Sequence, residues 1–246
     1  GRQGVYSVMH RNSERILHLI NQLMEMRKID QGQIQLNHRK VDIVGFIQDI
    51  CSLFKDQKET KNISLNFCSS VAKLDVVLDP NYFDKTLLNL LSNAFKFTPD
   101  GGAIDVVLDT FTTSNGVASF RIGVKDNGIG VAEKDLNKIF DRFYRSNMVE
   151  LHPKEGTGIG LHLTRSIVNL HKGRIYAINN KDQAGCTMIM ELPIDCQSVE
   201  QTDKVVVEKV TSMKLPQTNL ELEQTQEKAV EQVAPLQGNQ VYKGRG

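Results

Sequence analysis

The chain has 246 residues, of which 40% are hydrophobic, so it can build one or two domains with a packed core. A formal net charge of +1, no apolar run long enough to span a bilayer and no visible signal peptide give no sign that nucleic acid or a membrane is a direct partner. The four cysteines have no paired spacing, which argues against a zinc site and a disulfide framework and is typical of a reducing compartment.

Residues 5–31 are predicted to form one long helix. Its apolar positions follow two lines that repeat every seven residues, an a/d pattern that one helix cannot bury alone. We therefore expect a helix of a dimerising hairpin or bundle, although an ordinary core helix would carry a similar pattern. The first line holds Met9, Ile16 and Leu23, and the second holds Val5, Asn12, Leu19 and Met26.

Residues 39–194 read as one mixed domain. Strands and helices do not alternate strictly, so the fold class is α+β, with a mixed β-sheet covered on one face by helices and preceded by the bundle-forming helix. Helices are predicted at 41–59, 79–98 and 158–173, the last closed by Gly173, and strands at 63–68, 74–79, 103–111, 119–126, 174–180 and 185–193.

Residues 195–246 change in composition. Gln, Val, Glu, Lys and Thr dominate, and aromatic residues almost vanish. Such a segment is typical of a linker or tail, and no core is predicted in it.

Three polar residues lie on one face of the helix at 79–98. Asn89 and Asn93 are four residues apart, and Lys96 follows three residues later. Amide oxygens can bind Mg²⁺, and lysine can meet phosphate oxygens. A solvated helix face is the simpler explanation for the two amides alone.

Two glycine clusters follow. In "DNGIGV" (126–131), an acid at the end of a strand enters a glycine turn, which an ordinary turn would also explain. In "GTGIGLHL" (156–163), glycines open a helix, where backbone N–H groups and the helix N-terminus favour phosphate. The polar segment 144–156 between the clusters, with Arg145 and Lys154, has the composition of a mobile lid.

Together these segments resemble a known family. "LLNLLSNAFKFTPDGG", "DNGIGV", "IFDRFYR" and "GTGIGLHLTRSIVNLHKG" are similar, in this order, to the N, G1, F and G2 boxes of sensor histidine kinases. The resemblance implies the ATP-binding fold shared with gyrase, the Hsp90 chaperones and mismatch-repair ATPases. Residues 1–38 resemble the second helix of the dimerisation and histidine-phosphotransfer hairpin. The sequence of this segment is also similar to that of hybrid kinases, in which the tail at 195–246 would lead to a receiver domain.

The resemblance implies a role for each box. Asp126 would accept a hydrogen bond from the adenine amino group, Asn93 would bind Mg²⁺ with Asn89 as a further candidate ligand, and Phe140 and Phe143 would anchor the lid. The implied ATP-binding residues are Asn89, Asn93, Lys96, Asp126, Gly128, Gly130, Phe140, Phe143, Arg145, Gly156, Thr157, Gly158, Gly160 and Leu161.

The phospho-accepting histidine of the family is not found. It would be followed by an acidic residue, and none of the six histidines is; His10 precedes Arg11. His162 and His171 read as surface or helix-end residues. We therefore expect the acceptor to lie outside this chain, which would be unable to phosphorylate itself.

The resemblance implies a protein-histidine kinase that uses ATP and Mg²⁺, forms a homodimer through the hairpin, and passes the phosphoryl group to a receiver domain in cis or in trans. It also implies the cytoplasmic portion of a membrane-anchored bacterial sensor. Two other functions stay open, an ATP-driven conformational machine and a dimerising module without catalysis. Rapid nucleotide hydrolysis would favour the first and absence of nucleotide binding the second.

Overall fold

The computed structural model describes residues 2–146 and 157–197. Five helices and seven strands lie in these ranges, with two short 3₁₀ turns at Glu133–Asp135 and Lys138–Phe140. The helices are α1 (Arg2–Asp30), α2 (Ile43–Ser52), α3 (Lys55–Lys61), α4 (Pro80–Phe97) and α5 (Gly160–Leu170). The strands are β1 (Arg39–Asp42), β2 (Ser64–Ser69), β3 (Asp75–Leu78), β4 (Ala103–Thr112), β5 (Ala118–Asp126), β6 (Arg174–Asn179) and β7 (Cys186–Pro193).

The main sheet has five strands in the order β2-β4-β5-β7-β6. β2 runs parallel to β4, and the other neighbours are antiparallel. β4 and β5 form the predicted hairpin, and β1 pairs with β3 in a separate two-stranded sheet. This mixed sheet with helices packed on it confirms the predicted α+β class.

The core lies between the sheet and α2, α4 and α5. Along β4, alternate residues such as Ile104, Val106 and Leu108 are fully buried, as expected for a strand with one covered face. The buried residues of α4 recur at helical spacing and include Phe83, Leu87, Leu90, Leu91 and Phe95. Burial of these large apolar side chains is the main force that fixes α4 on the sheet.

The start of α4 follows the sequence prediction. Asp79 is the N-cap, and its carboxylate accepts hydrogen bonds from the backbone N–H groups of Asn81 and Tyr82. Pro80 occupies the first turn, where its missing N–H costs nothing. The polar residues Asn89, Asn93 and Lys96 are therefore carried on a helix with a well-defined start.

The single helix predicted at 41–59 is wrong, because the segment forms β1, α2 and α3. The break falls at Leu53 and Phe54, where the buried ring of Phe54 stacks on Phe95 with ring centroids 5.0 Å apart. Helix α3 buries none of its residues and ends at Asn62, which has a left-handed φ of 51°. Anchoring of Phe54 thus overrides the amphipathic pattern.

Helix α5 ends at Leu170, three residues before Gly173, which was predicted to close it. The left-handed position is Lys172, with φ 60°, rather than Gly173. The N–H groups of Lys172 and Gly173 donate to the carbonyls of Asn169 and Val168, both at 2.9 Å, which is the Schellman pattern. Gly173 is needed for space instead, since a Cβ there would lie 2.5 Å from the carbonyl oxygen of Glu191.

His171 lies at the end of α5, as predicted, but it is fully buried rather than on the surface. Its Nδ1 lies 2.8 Å from the Ile167 carbonyl, and its Nε2 accepts the backbone N–H of Asp79 at 3.0 Å. The neutral ring with a proton on Nδ1 satisfies both bonds. Burial lowers the pKa of His171, and the nearby His38 lowers it further.

This histidine predicts a pH dependence of stability. Because the folded pKa lies below the ordinary value of about 6.5, the unfolded chain binds the extra proton first, and stability falls as the pH drops below about 6.5. We expect the free energy of unfolding of His171→Gln at pH 7.5 to be lower than that of the parent by about 1–3 kcal/mol. Between pH 7 and 5.5, the free energy of unfolding should fall less in this variant than in the parent. Urea unfolding at several pH values measures both, with His162→Gln as the control on the same helix. Equal pH slopes in parent and His171→Gln would contradict the assignment.

No helix in the described ranges combines the length and apolarity needed to cross a membrane.

Candidate nucleotide-binding site

A cavity of about 300 Å³ opens between α4, the end of β5 and the start of α5. Most of the residues implied by the sequence line it. They are Asn89, Asn93, Lys96, Asp126, Gly130, Arg145, Thr157, Gly158, Gly160 and Leu161. Gly128, Phe140 and Phe143 do not line it, and Gly156 and Lys154 lie outside the described residues, as does most of the segment expected to form a lid.

Asp126 is buried at the end of β5 and faces the cavity. Its Oδ1 accepts the N–H of Gly128 at 2.9 Å and the N–H of Cys186 at 3.4 Å. Burial raises the pKa of this carboxyl, and the two backbone donors oppose the rise. Both bonds from the described part of the chain go to Oδ1, so Oδ2 can accept a donor from a ligand.

The glycine turn after Asp126 is packed against the end of α4. A Cβ on Gly128 would lie 2.4 Å from the carbonyl oxygen of Phe97, so only glycine fits. Asn179 holds the turn from the other side. Its Oδ1 accepts the N–H of Val131 at 3.0 Å, and its Nδ2 donates to the carbonyl of Val131 at 2.6 Å. Gly128 is therefore required by the close packing of this turn on α4.

Asn89 connects α4 to the second glycine cluster. Its Nδ2 donates to Thr164 Oγ1 at 2.9 Å, and its Oδ1 lies against Gly160 at the start of α5. Asn93, one turn further along α4, faces the cavity. The two amides therefore share a face of α4, as predicted, and Asn89 contacts the start of α5.

The start of α5 is shaped for an anion. The N-cap residue Ile159 makes no side-chain capping bond to the first turn, and Gly158, with φ 70°, turns the chain into the helix. A Cβ on Gly158 would lie 2.7 Å from the backbone of Phe143. Lys96 and Arg145 are the two cations of the lining. Helix N–H groups and two cations around one cavity suit phosphate.

The two phenylalanines of the "IFDRFYR" segment have different surroundings. Phe140 is buried in the core, whereas Phe143 is 59% exposed and has a left-handed φ of 62°. The backbone N–H of Phe143 donates to the carbonyl of Gly158 at 2.9 Å. The segment thus meets the glycine turn of α5 through its backbone rather than through this ring.

Sequence reasoning missed most of the apolar lining and several polar residues, among them Gln22. Gln22 of α1 lines the cavity, and its Oε1 lies 3.4 Å from Thr157 Oγ1. Several of the missed apolar residues stand inside the quoted motifs, whereas Val124 and Met188 look like ordinary core positions in the sequence. Those inside the motifs include Leu90, Ile129, Val131 and Ile139. An apolar floor beside a buried carboxylate suits a purine ring.

A metal ion in this cavity would need oxygen atoms of a bound ligand in addition to those of the protein. Among the described residues, no group of three or more His, Cys, Asp or Glu side chains could hold one. Amide oxygens of Asn93 and Asn89 remain as protein ligands. Mg²⁺ is commonly bound by one or two protein oxygens together with substrate phosphates, so this donor set fits Mg²⁺.

Comparisons with known proteins agree with this geometry. Residues 78–195 match the family described as histidine kinase-, DNA gyrase B- and HSP90-like ATPase. The sensor histidine kinase WalK of Bacillus subtilis is 31% identical over 199 residues, which cover 80% of this chain and 31% of WalK. The hybrid signal transduction histidine kinase D of Dictyostelium discoideum is 29% identical over 187 residues, or 76% of this chain and 12% of that protein. The chain thus spans less than a third of either relative.

A solved structure, full-length ShkA in complex with AMPPNP, superposes with a TM-score of 0.65 at 25% identity, over 78% of this chain and 39% of that one. Fold, cavity and relatives define an ATP-binding domain of the ATPase class shared by histidine kinases, gyrase B and HSP90. Within that class, relatives that align over most of this chain are sensor histidine kinases, so the chain contains the ATPase core of such a kinase.

Proposed function

We propose that the chain is the catalytic part of a two-component sensor histidine kinase. It binds ATP with Mg²⁺ and transfers the γ-phosphoryl group to a histidine on the hairpin, for relay to an aspartate of a receiver domain. The observation that carries the proposal is the single cavity in which Asp126, the amides of α4, two cations and the glycine start of α5 meet.

The adenine ring binds at the buried end of the cavity. Oδ2 of Asp126 accepts the amino group of the base, and apolar side chains of β5 and β7 cover the ring. Because the carboxylate is desolvated, a donor from the ligand is worth more here than in water. Guanine presents an oxygen where adenine presents this amino group, so Asp126 selects ATP over GTP.

The phosphates lie between α4 and the start of α5. Lys96 and Arg145 neutralise their charge, and backbone N–H groups at the start of α5 bind oxygens. Asn93 and Asn89 would supply the protein oxygens that hold a Mg²⁺ ion, which would neutralise charge on the phosphates when bound. Catalysis is therefore mostly positioning and charge neutralisation, with the attacking imidazole brought in from the hairpin.

Residues 1–38 act as the second hairpin helix, 39–194 as the catalytic domain and 195–246 as a linker. The exposed apolar side chains of α1 support homodimerisation, since Met9 is 60%, Ile16 57% and Leu23 41% exposed. The name of the hybrid relative supports a receiver domain after the linker. In the full protein, the catalytic domain is cytoplasmic and a membrane anchor lies elsewhere.

We expect Asn93→Ala to weaken ATP binding about tenfold in the presence of Mg²⁺ and to have little effect when the metal is removed with EDTA, because the amide acts through the metal. Calorimetric titration under both conditions measures this. Asn66→Ala, on the exposed edge of the sheet, is the matched control and leaves both affinities unchanged. An equal loss with and without Mg²⁺ would remove the metal role from Asn93.

A further inference from the structure

Asp135 binds the side chains on both sides of Arg145. The hydroxyl of Tyr144 donates to Asp135 Oδ1 at 2.7 Å, and the hydroxyl of Ser146 donates to Oδ2 at 2.6 Å. The side chains of Asp135 and Ser146 are both almost inaccessible to solvent. One carboxylate from the turn Glu133–Asp135 therefore holds residues 144 and 146 at the same time.

The residue between them faces the nucleotide cavity. Tyr144 is half-buried and Ser146 is buried, whereas Arg145 is exposed. All three residues line the cavity, but Asp135 itself does not. Arg145 is one of the two cations of the lining, so the position of its backbone decides where that charge lies.

We propose that Asp135 is a positioning residue for nucleotide binding: by holding Tyr144 and Ser146, it fixes the backbone of Arg145 and directs the guanidinium at the phosphates of the nucleotide. The inference rests on the proposed function and deepens it, because it adds a residue that acts on ATP only through Arg145. None of the sequence motifs includes Asp135.

The hydrogen bonds of Asp135 have the form needed for this role. A carboxylate accepts from two hydroxyls through charge-assisted bonds, which are shorter and stronger than neutral ones. These bonds also lower the pKa of Asp135, the Ser146 bond most, so the carboxylate is ionised at neutral pH. Removing either hydroxyl alone leaves one bond in place, and removing both frees the backbone on each side of Arg145.

The test is the contribution of the terminal phosphates to affinity, measured as the ratio of the dissociation constants of AMP and ATP. A residue that only supports the fold would weaken both nucleotides equally and leave the ratio unchanged. We expect Asp135→Ala to lower the ratio about tenfold, the range for one hydrogen bond to a charged group. Arg145→Ala should lower it by a similar factor, and the double variant should lose nothing further.

Asp141→Ala is the matched control. Asp141 lies in the same segment, binds Arg165 and does not line the cavity, so it should leave the ratio unchanged. If Asp135→Ala does not fold, as judged by thermal unfolding, Tyr144→Phe combined with Ser146→Ala removes the same two bonds and should lower the ratio equally. An unchanged ratio, or additive losses in the double variant, would overturn the inference. Absence of ATP binding by the parent chain would instead overturn the proposed function.

Discussion

Asp126→Asn should weaken ATP binding about tenfold to a hundredfold. A hydrogen bond to a charged group contributes roughly 1.5–3 kcal/mol, which corresponds to this range of affinity. The variant keeps an oxygen that can accept the N–H of Gly128, so the turn and the fold should survive. The loss therefore reports on the bond to the base rather than on the cavity as a whole.

Calorimetric titration with ATP and GTP measures the effect. The parent should prefer ATP, and the preference should shrink in the variant because the amide can also donate to the guanine oxygen. Asp109→Asn, a half-buried acid on the neighbouring strand β4 and outside the cavity, is the control and should behave as the parent does. Equal affinity of the parent for ATP and GTP would show that Asp126 does not read the base.

We also expect that this chain alone acquires no acid-labile label when it is incubated with radioactive ATP. His171 is buried, and the ring of His162 contacts the Phe140 carbonyl at 3.2 Å. His10 is exposed and lies 3.5 Å from Glu14, which gives it a carboxylate that the residue pattern did not reveal. It is still twelve residues before Gln22, the residue of α1 at the cavity, or about 18 Å along the helix at 1.5 Å per residue.

Label should appear when an acceptor is supplied. The partner in the test is a separate helix that carries a histidine followed by an acidic residue and can pair with residues 5–31. The same helix with glutamine in place of the histidine should remain unlabelled. Label on His10 of the chain alone would show that the hairpin has been misplaced. Rapid hydrolysis of ATP without any label would favour a conformational machine instead.

The site residues most readily predicted were those with local signatures. Asp126 ends a strand and enters a glycine turn, and the amides of α4 share a helix face, so spacing alone groups each set. The structure then shows how the sets meet, through the Asn89–Thr164 bond between α4 and α5. That contact joins residues 75 positions apart, which no local pattern records.

Other features depend on tertiary packing and left no trace in the sequence. Gln22 reaches the cavity only because α1 lies against α5, and Asp135 reaches residues 144 and 146 only because the turns between them fold back. The burial of His171 likewise depends on the N-terminus of α4. Phe54 breaks a helical pattern because a ring elsewhere in the fold offers a better contact.

The contacts between α1 and the rest of the domain have a consequence for how experiments are run. Lys85 of α4 pairs with Glu25, and Arg142 pairs with Asp30 at 2.6 Å, with all four side chains partly exposed. Such pairs contribute about 0–1 kcal/mol each and weaken as salt is added. The attachment of α1 to the domain should therefore weaken as ionic strength rises, and with it the contact of Gln22 with the cavity. A rise in the rate of label transfer to the supplied acceptor helix with added potassium chloride would reveal that release of α1 limits turnover.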